Sequence, residues 1–351
     1  MFFYGKPSKE LFSHKSVFFS HNKEKLEEMS RLAELYIKQP RRLRCKNCNY
    51  MLGKADFTKR GVDYALCTEC GHLNGCHEDT EEFCQALYTA DDGVSYGATY
   101  HESDRLAWSR RVDDIYLPKA EFLANALQSL DRQVHAMSFA DFGAGSGFFV
   151  KALQSLGISS VKGYEVSRAQ VRVGQAMLQD KDALQEHDLN DSVKIASETQ
   201  ADVVSMVGVL EHLREPREVL AALRNNENVE FIYFSVPLFS PCVFIEMDHP
   251  NVFPRHLAGA HTHLYTESSI RYFCKEFSLG PVAEWWFGSD VVDLYRNMLV
   301  NITSSSNAEK GSARAGKLFT EMFKPVIDDM QKVLDIQRLS SEVHMLVQRH
   351  G

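Results

Sequence analysis

Short apolar runs alternate with amphipathic stretches from about residue 137 to the end of the chain. Five runs have the length of β-strands, at 137–142, 160–165, 184–187, 201–207 and 229–236. Between them, apolar residues recur at helical spacing. This alternation is typical of a mostly parallel sheet with helices on both faces. The sequence therefore predicts an α/β domain over residues 136–351.

The pattern after the fifth run predicts the rest of this domain. A long loop at 237–266 precedes a helix at 267–277 and a strand at 281–288. The polar stretch at 304–316 is rich in residues that break regular structure and is predicted to be a flexible connection. An amphipathic helix at 317–338 follows, so about 308–338 is predicted as a helical insertion, and 340–349 as a closing strand.

The first 135 residues show a different pattern. Residues 22–39 have one apolar stripe at helical spacing, and Pro40 ends it, so 1–40 is predicted as an N-terminal helical segment. The predicted stripe contains Leu26, Met29, Leu32, Leu35 and Tyr36. Residues 41–85 are poor in apolar residues and rich in cysteine, which predicts a small domain without a large core. Residues 86–135 are predicted as a helical bridging segment.

Charge and composition restrict the possible partners. The 351 residues contain 39 basic and 47 acidic side chains, for a net charge of −8, with no basic block that would track phosphates. Nucleic acid is therefore a disfavoured partner. Lys6, Lys9 and Glu10 interrupt the start of the chain, and no apolar stretch of about 18 residues follows, so a cytoplasmic protein without a membrane span is predicted.

Four of the eight cysteines form two Cys-x-x-Cys pairs, Cys45 with Cys48 and Cys67 with Cys70, with eighteen residues between the pairs. This spacing is typical of a ribbon in which four thiolates surround one Zn²⁺ ion. Four thiolates leave no open position for water, so the predicted zinc is structural. Other side chains nearby that could replace a ligand are His72, Cys76, His77 and Cys84. Gly71 suits a turn with positive φ, and Tyr50 and Tyr64 are predicted to pack the small core.

The first run of the α/β domain ends in an acidic residue followed by a glycine-rich turn. Asp141 precedes Gly143, Ala144, Gly145 and Gly147, and a helix follows. Glycines allow close approach of a ligand to the backbone. The spacing Gly-x-Gly-x-Gly differs from the Gly-x-Gly-x-x-Gly of dinucleotide-binding turns. Eighteen residues after Gly147, Glu165 ends the second run, where a carboxylate can accept hydrogen bonds from both ribose hydroxyls.

These residues, together with the segment 202–216 (DVVSMVGVLEHLREP), resemble the class I S-adenosylmethionine-dependent methyltransferases. The resemblance implies that S-adenosylmethionine is the cofactor and that the glycine loop and the two acids bind it. Asp188 matches the acid that reaches the adenine amine. The segment around Glu211 and His212 matches the end of the fourth strand, which positions cofactor or acceptor. Another kind of nucleotide-binding fold is the alternative.

The loop at 237–266 is expected to line the acceptor pocket, because ligands of open parallel sheets gather beyond the carboxyl ends of the strands. It contains four histidines within fifteen residues. Methyl transfer to a hydroxyl or a carbon acid needs a group that removes a proton, and histidine suits this role. His261 or His263 is the predicted general base, followed by His212 and Glu246. His261 and His263 with a carboxylate could instead hold a second metal ion.

A second candidate site lies later in the chain, where Trp285, Trp286 and Phe287 precede Asp290 and Asp293. Aromatic rings next to carboxylates can stack against a sugar or a nucleoside. The same residues can also be part of an ordinary core.

An N-terminal zinc module before a class I domain resembles the nucleotide-sugar C-methyltransferases and related enzymes of polysaccharide pathways. This resemblance implies a small, sugar-like acceptor, although the segment GVLEHLREP departs from the usual motif of those enzymes. Two other functions remain open. One is an RNA or protein methyltransferase in which the ribbon binds the macromolecule, and the other is a non-catalytic scaffold with a vestigial cofactor site.

Overall fold

The computed structural model describes residues 1–14, 21–89, 104–257, 261–303 and 313–350. The strands of these residues are, in chain order, β1 (Phe2–Tyr4), β2 (Phe57–Lys59), β3 (Val62–Leu66), β4 (Leu73–Gly75), β5 (Phe139–Phe142), β6 (Val161–Glu165), β7 (Leu184–Glu186), β8 (Val203–Val207), β9 (Phe231–Pro237), β10 (His263–Leu264), β11 (Leu279–Phe287) and β12 (Glu342–Arg349).

The α-helices of the described residues are α1 (Lys9–His14), α2 (Asn22–Tyr36), α3 (Glu81–Tyr88), α4 (Arg105–Arg111), α5 (Leu117–Gln128), α6 (Phe148–Ser155), α7 (Arg168–Leu178), α8 (Ser192–Glu198), α9 (Pro216–Asn225), α10 (Pro241–Asp248), α11 (Glu267–Glu276), α12 (Asp290–Thr303), α13 (Ala313–Phe323) and α14 (Ile327–Ile336). A π-helical turn (Val112–Tyr116) joins α4 to α5. Within the described residues, every helix is too short or too polar to cross a bilayer.

The large sheet has eight strands in the order β1-β11-β12-β9-β8-β5-β6-β7. The pairs β5–β6, β6–β7, β5–β8 and β8–β9 are parallel, whereas β12 runs antiparallel to β9 and β11. The predicted parallel sheet is therefore confirmed, and the closing strand joins it at 342–349. Because β6 and β8 lie on opposite sides of β5, the loops after β5 and β8 open outward beside each other, where such sheets bind ligands.

Helices cover both faces of this sheet, as the sequence predicts. Alternate residues of β9 point to opposite faces: Phe231 and Tyr233 pack with α5 and α6, and Ile232 and Phe234 pack with α9 and α11. All four side chains are fully buried. A strand with both faces buried is apolar throughout, which explains why this segment reads as a continuous apolar run.

The N-terminal segment differs in two ways from the sequence prediction for residues 1–40. Phe2–Tyr4 form β1, which pairs with β11 in parallel at the edge of the large sheet. Helix α2 buries Ala33 and Tyr36, whereas the predicted stripe residue Leu35 is 43% exposed. The buried face is therefore rotated away from Leu35, because α2 packs on Phe83 and His77 through the ring of Tyr36.

Residues 41–85 form a small unit whose strands β4, β3 and β2 pair in antiparallel. The fourth strand of this sheet is β10, which comes from the long loop of the α/β domain and pairs His263 with Asn74 and Leu264 with Leu73. Tyr64 is buried, as predicted, but Tyr50 is 51% exposed. The small unit thus shares a sheet with the loop that the sequence assigns to the acceptor pocket.

The C-terminal helical region starts earlier than predicted and is interrupted. Helix α13 begins at Ala313, and a 3₁₀ turn at Lys324–Val326 separates it from α14, which ends at Ile336. The interruption coincides with Pro325, which cannot donate a helical hydrogen bond. Most of the predicted flexible connection, residues 304–312, lies outside the described residues.

Candidate functional site

The glycine loop lies between β5 and α6 and has an unusual backbone. Gly143, Gly145 and Gly147 have φ angles of 65°, 55° and 76°, in the left-handed region that side chains with a Cβ rarely adopt. Gly147 caps α6, and the amide of the buried Ala144 donates to the Tyr164 carbonyl of β6 at 3.0 Å. The loop is therefore fixed against the neighbouring parallel strand.

The loop also touches the segment that follows β8. A Cβ atom at Gly143 would lie 2.5 Å from Cγ2 of Val209, closer than real Cβ contacts. Val209 directly precedes Leu210 and Glu211 in the predicted motif. Glycine at position 143 thus allows the ends of β5 and β8 to approach closely.

We expect Gly143→Ala to destabilise the protein by about 2–4 kcal/mol, the sum of a steric clash and an unfavourable positive φ. Denaturant unfolding measures this change. Gly61→Ala is the matched control, because Gly61 also has a positive φ of 78° but has nothing within 4 Å of its Cβ position. Equal losses in both variants would contradict the proposed close contact with Val209.

Two acids flank the loop at the ends of β5 and β6. Asp141 is 2% exposed, and its Oδ1 accepts a 2.6 Å hydrogen bond from Ser205 of β8. Burial raises the pKa of Asp141 to about 7. Glu165 is also buried, and its two oxygens accept from the amides of Gly145 (2.9 Å) and Ser167 (2.8 Å). The structure thus brings together the strand-end acids and the glycine loop that the sequence singles out.

Asp188 lies farther along the same edge, after β7. Its side chain is exposed and accepts from the amide of Asn190 at 2.9 Å, which caps a short 3₁₀ helix at Leu189–Asp191.

Burial raises the pKa of Glu165, as it does that of Asp141, although the hydrogen bonds from the amides of Ser167 and Gly145 lower it.

The segment from β5 through α9 corresponds to a known kind of domain. Residues 140–226 match the family model described as a methyltransferase domain, and they include the glycine loop, Glu165 and Glu211. The chain therefore contains a methyltransferase domain over these residues. No curated protein has a sequence that matches it.

Solved methyltransferase structures resemble the chain at low identity. A putative sarcosine dimethylglycine methyltransferase from Galdieria sulphuraria is 15% identical, with a TM-score of 0.42 and coverage of 66% of this chain and 86% of that one. Geranyl diphosphate C-methyltransferase from Streptomyces coelicolor A3(2) is 13% identical, with a TM-score of 0.42 and coverage of 71% and 84%. Magnesium protoporphyrin IX methyltransferase from Synechocystis PCC 6803 is 14% identical, with a TM-score of 0.42 and coverage of 67% and 83%.

A cluster of Glu211, His212 and His261 lies at the carboxyl edge of the methyltransferase sheet. One oxygen or ring nitrogen of each side chain lies within 4.8 Å of the others. Oε1 of Glu211 is 3.8 Å from Nε2 of His212, and the two imidazole rings are 5.1 Å apart. Burial raises the pKa of Glu211 to about 8 and lowers the pKa of His261 well below its usual value. Val209 connects this cluster to the glycine loop.

The predicted general base His263 lies on β10 and contacts the small N-terminal unit. Its Nδ1 is 2.8 Å from Nε2 of His72, and Nδ1 of His72 is 3.4 Å from the Ser269 hydroxyl. Burial lowers the pKa of both imidazoles well below the usual value, so both are neutral at pH 7. Sequence reasoning considered His72 only as a substitute zinc ligand, because nothing in the sequence reveals its contact across 191 positions.

Glu246 does not join the other predicted catalytic residues. Its carboxylate is buried and forms an ion pair with Nζ of Lys59 at 2.5 Å. It also accepts from the backbone amides of Arg255 and His256. These contacts give Glu246 a structural role, in which it ties α10 to strand β2 of the small unit.

The four predicted zinc ligands converge at one end of the small unit. The sulfur atoms of Cys45, Cys48, Cys67 and Cys70 all lie within 4.8 Å of one another, with Cys45–Cys70 at 3.6 Å and Cys48–Cys67 at 3.5 Å. Thiolates about 2.3 Å from a tetrahedral zinc ion are about 3.8 Å apart, so this donor set fits Zn²⁺. The alternative ligands His72, Cys76, His77 and Cys84 are outside this group.

The second candidate site, at 285–293, is part of the protein interior. Trp286 is 1% exposed and Phe287 is 5% exposed. The buried carboxylate of Asp290 accepts from Ser240 and from the amide of Ser341, and that of Asp293 pairs with Arg255 at 2.7 Å. The ordinary core interpretation therefore applies, since these rings and carboxylates have partners within the fold.

Proposed function

We propose that this methyltransferase transfers the methyl group of S-adenosylmethionine to a small polar acceptor, a sugar or a nucleotide-linked sugar that serves as a glycan precursor. One observation carries the proposal. His212, from the segment after β8, and His261, from the long loop, meet at the buried Glu211. Val209 of the same segment contacts Gly143 of the glycine loop, so a methyl donor and a hydroxyl or carbon acid would be aligned beside this cluster.

Several residues at this edge are suited to hold the cofactor, which supplies an electrophilic methyl group when bound. The glycine loop (Gly143, Ala144, Gly145 and Gly147) gives close access to the backbone. Glu165 has further lone pairs for the ribose hydroxyls, and Asp141 is the residue we assign to the methionine end. Asp188 is the residue we assign to the adenine amine.

His263 is the residue we assign as general base, because its hydrogen bonds define its tautomer. The Ser269 hydroxyl donates to the Thr266 carbonyl at 3.0 Å, so Nδ1 of His72 must donate to Ser269. Nε2 of His72 then accepts from Nδ1 of His263. This leaves a lone pair on Nε2 of His263, which is buried and has no hydrogen-bond partner among the described residues. An imidazole in this state can accept a proton.

The rival function, a ribbon that binds a macromolecule, is less well supported. Most basic side chains of the small unit are engaged within the protein. Arg42 and Lys46 contact the buried Asp79, Lys59 pairs with Glu246, and Arg60 donates to the Pro250 carbonyl at 2.7 Å. Few basic side chains of the small unit therefore remain to contact the phosphates of a nucleic acid.

Transfer of radiolabel from methyl-labelled S-adenosylmethionine tests the proposal. A panel of nucleotide-linked and free sugars, total RNA and total protein would each be offered as acceptors. Label in a sugar supports the proposal, and label only in RNA or protein replaces it with the rival function. No label in any fraction, with the cofactor bound, would favour the scaffold alternative.

We expect His263→Asn to lower kcat by about 100-fold or more, the usual contribution of a positioned base. The dissociation constant of S-adenosylhomocysteine should stay unchanged, because His263 lies outside the glycine loop. His249→Asn is the matched control, since His249 belongs to the same loop but contacts the Ile245 carbonyl at 2.8 Å. Full turnover of His263→Asn on the identified acceptor would place the base elsewhere.

A further inference from the structure

Glu211 is a buried carboxylate with an incomplete set of partners. It is 4% exposed, and its Oε2 has no hydrogen-bond partner among the described residues. Burying a carboxylate without compensation costs several kcal/mol, so such a group usually pairs with a cation or binds a metal ion. Lys119, the cation that acts on it electrostatically, forms its ion pair with Glu342 at 3.6 Å instead.

Two histidines present ring nitrogens to this carboxylate. Nε2 of His212 is 3.8 Å from Oε1 of Glu211, while Nδ1 of His212 is 3.0 Å from the Tyr88 hydroxyl. The ring of His261 hydrogen-bonds the backbone of Arg255. Histidine ligands of metals typically use one nitrogen for the ion and the other for such an orienting hydrogen bond.

The spacing of the three side chains fits a single ion. Their ligand atoms lie within 4.8 Å of one another, and ligands about 2.1 Å from a tetrahedral ion are about 3.4 Å apart. Small rotations of the side chains therefore bring them into coordination distance. His212 and His261 are only partly buried, so the cluster keeps a side that solvent or an acceptor can reach.

We propose that Glu211, His212 and His261 bind a divalent metal ion of the zinc type, separate from the four-cysteine site. Two imidazoles and one carboxylate are the donor set of many catalytic zinc sites, in which three protein ligands leave a coordination position open. This proposal extends the proposed function: an ion there would orient an acceptor hydroxyl and lower its pKa, and His263 would take the proton. Sequence analysis connected a second metal with His261 and His263, but His263 bonds His72 instead.

Equilibrium dialysis against Zn²⁺ alone at low micromolar free concentration, followed by elemental analysis, tests the site without any acceptor. We expect two zinc ions per chain for the parent protein and one for Glu211→Gln and for His261→Ala. Glu215→Gln should retain two, because Glu215 is an exposed carboxylate four residues after Glu211. Thermal unfolding of each variant confirms that it is folded.

A parent protein that binds one zinc ion, or a Glu211→Gln variant that keeps two, would overturn this proposal. The count is independent of the proposed function. If two ions bind and no sugar is methylated, the metal site stands and the acceptor assignment fails. If one ion binds and a sugar is methylated, the acceptor assignment stands and the second metal site is wrong.

Discussion

Cys67→Ser is expected to release zinc from the proposed four-cysteine site and to unfold the small N-terminal unit. Zinc binding contributes about 10–16 kcal/mol in zinc-finger peptides, and loss of one of four thiolates removes most of that stabilisation. The unit has few other sources of stability, since its sheet consists of three short strands and β10. Elemental analysis should show one zinc fewer per chain, and thermal unfolding should show an early transition at low temperature.

The consequences of this substitution extend to the loop that contains His263, the proposed general base. Strand β4 pairs with β10, and His72 orients His263, so unfolding of the small unit removes both supports. We therefore expect turnover to be lost together with zinc. Cys76→Ser is the matched control, because Cys76 is buried in the same unit but lies outside the four-sulfur group. Absence of zinc from the parent protein would refute the ribbon.

Glu165→Ala is expected to weaken binding of S-adenosylhomocysteine by about 100-fold or more. The substitution removes the proposed acceptor for the ribose hydroxyls, and hydrogen bonds to a charged group contribute about 1.5–3 kcal/mol each. It also removes the 2.9 Å hydrogen bond that fixes the Gly145 amide, so the glycine loop loses an internal support. Isothermal titration calorimetry measures the dissociation constant.

Glu186→Ala provides the comparison for this measurement. Glu186 pairs with Glu165 in register across β6 and β7, but its side chain is exposed and forms an ion pair with Arg168. Its loss should leave cofactor affinity nearly unchanged, because exposed ion pairs contribute little. If both variants bind S-adenosylhomocysteine as the parent does, Glu165 is not part of the cofactor site.

The proposed zinc site, cofactor site and second metal site are formed by different residues of the protein. In these proposals, zinc at the four-cysteine site stabilises the unit that pairs with β10, the glycine loop and Glu165 form the cofactor side, and Glu211 with His212 and His261 faces the acceptor side. Val209 contacts Gly143 and lies two residues before Glu211, so the cofactor and acceptor sides share one short segment. Substitutions at Glu211 should therefore be checked for cofactor affinity as well as for metal content.

The sequence by itself determined the α/β class, the four cysteines, and the order along the chain of the strands β5, β6, β7, β8, β9, β11 and β12. These features depend on local patterns: a strand buried on both faces must be apolar, and a tight turn around a metal fixes the Cys-x-x-Cys spacing. The glycine loop could also be predicted from the sequence, because backbone positions with positive φ angles favour glycine.

Only the tertiary structure decided which polar side chains meet. It placed Glu246 in an ion pair with Lys59, joined His263 to His72, and gathered Glu211, His212 and His261. It also added β1 to the edge of the large sheet and β10 to the sheet of the small unit. The physical reason is that such contacts connect residues tens to hundreds of positions apart, and local hydrophobic periodicity carries no information about partners at that distance.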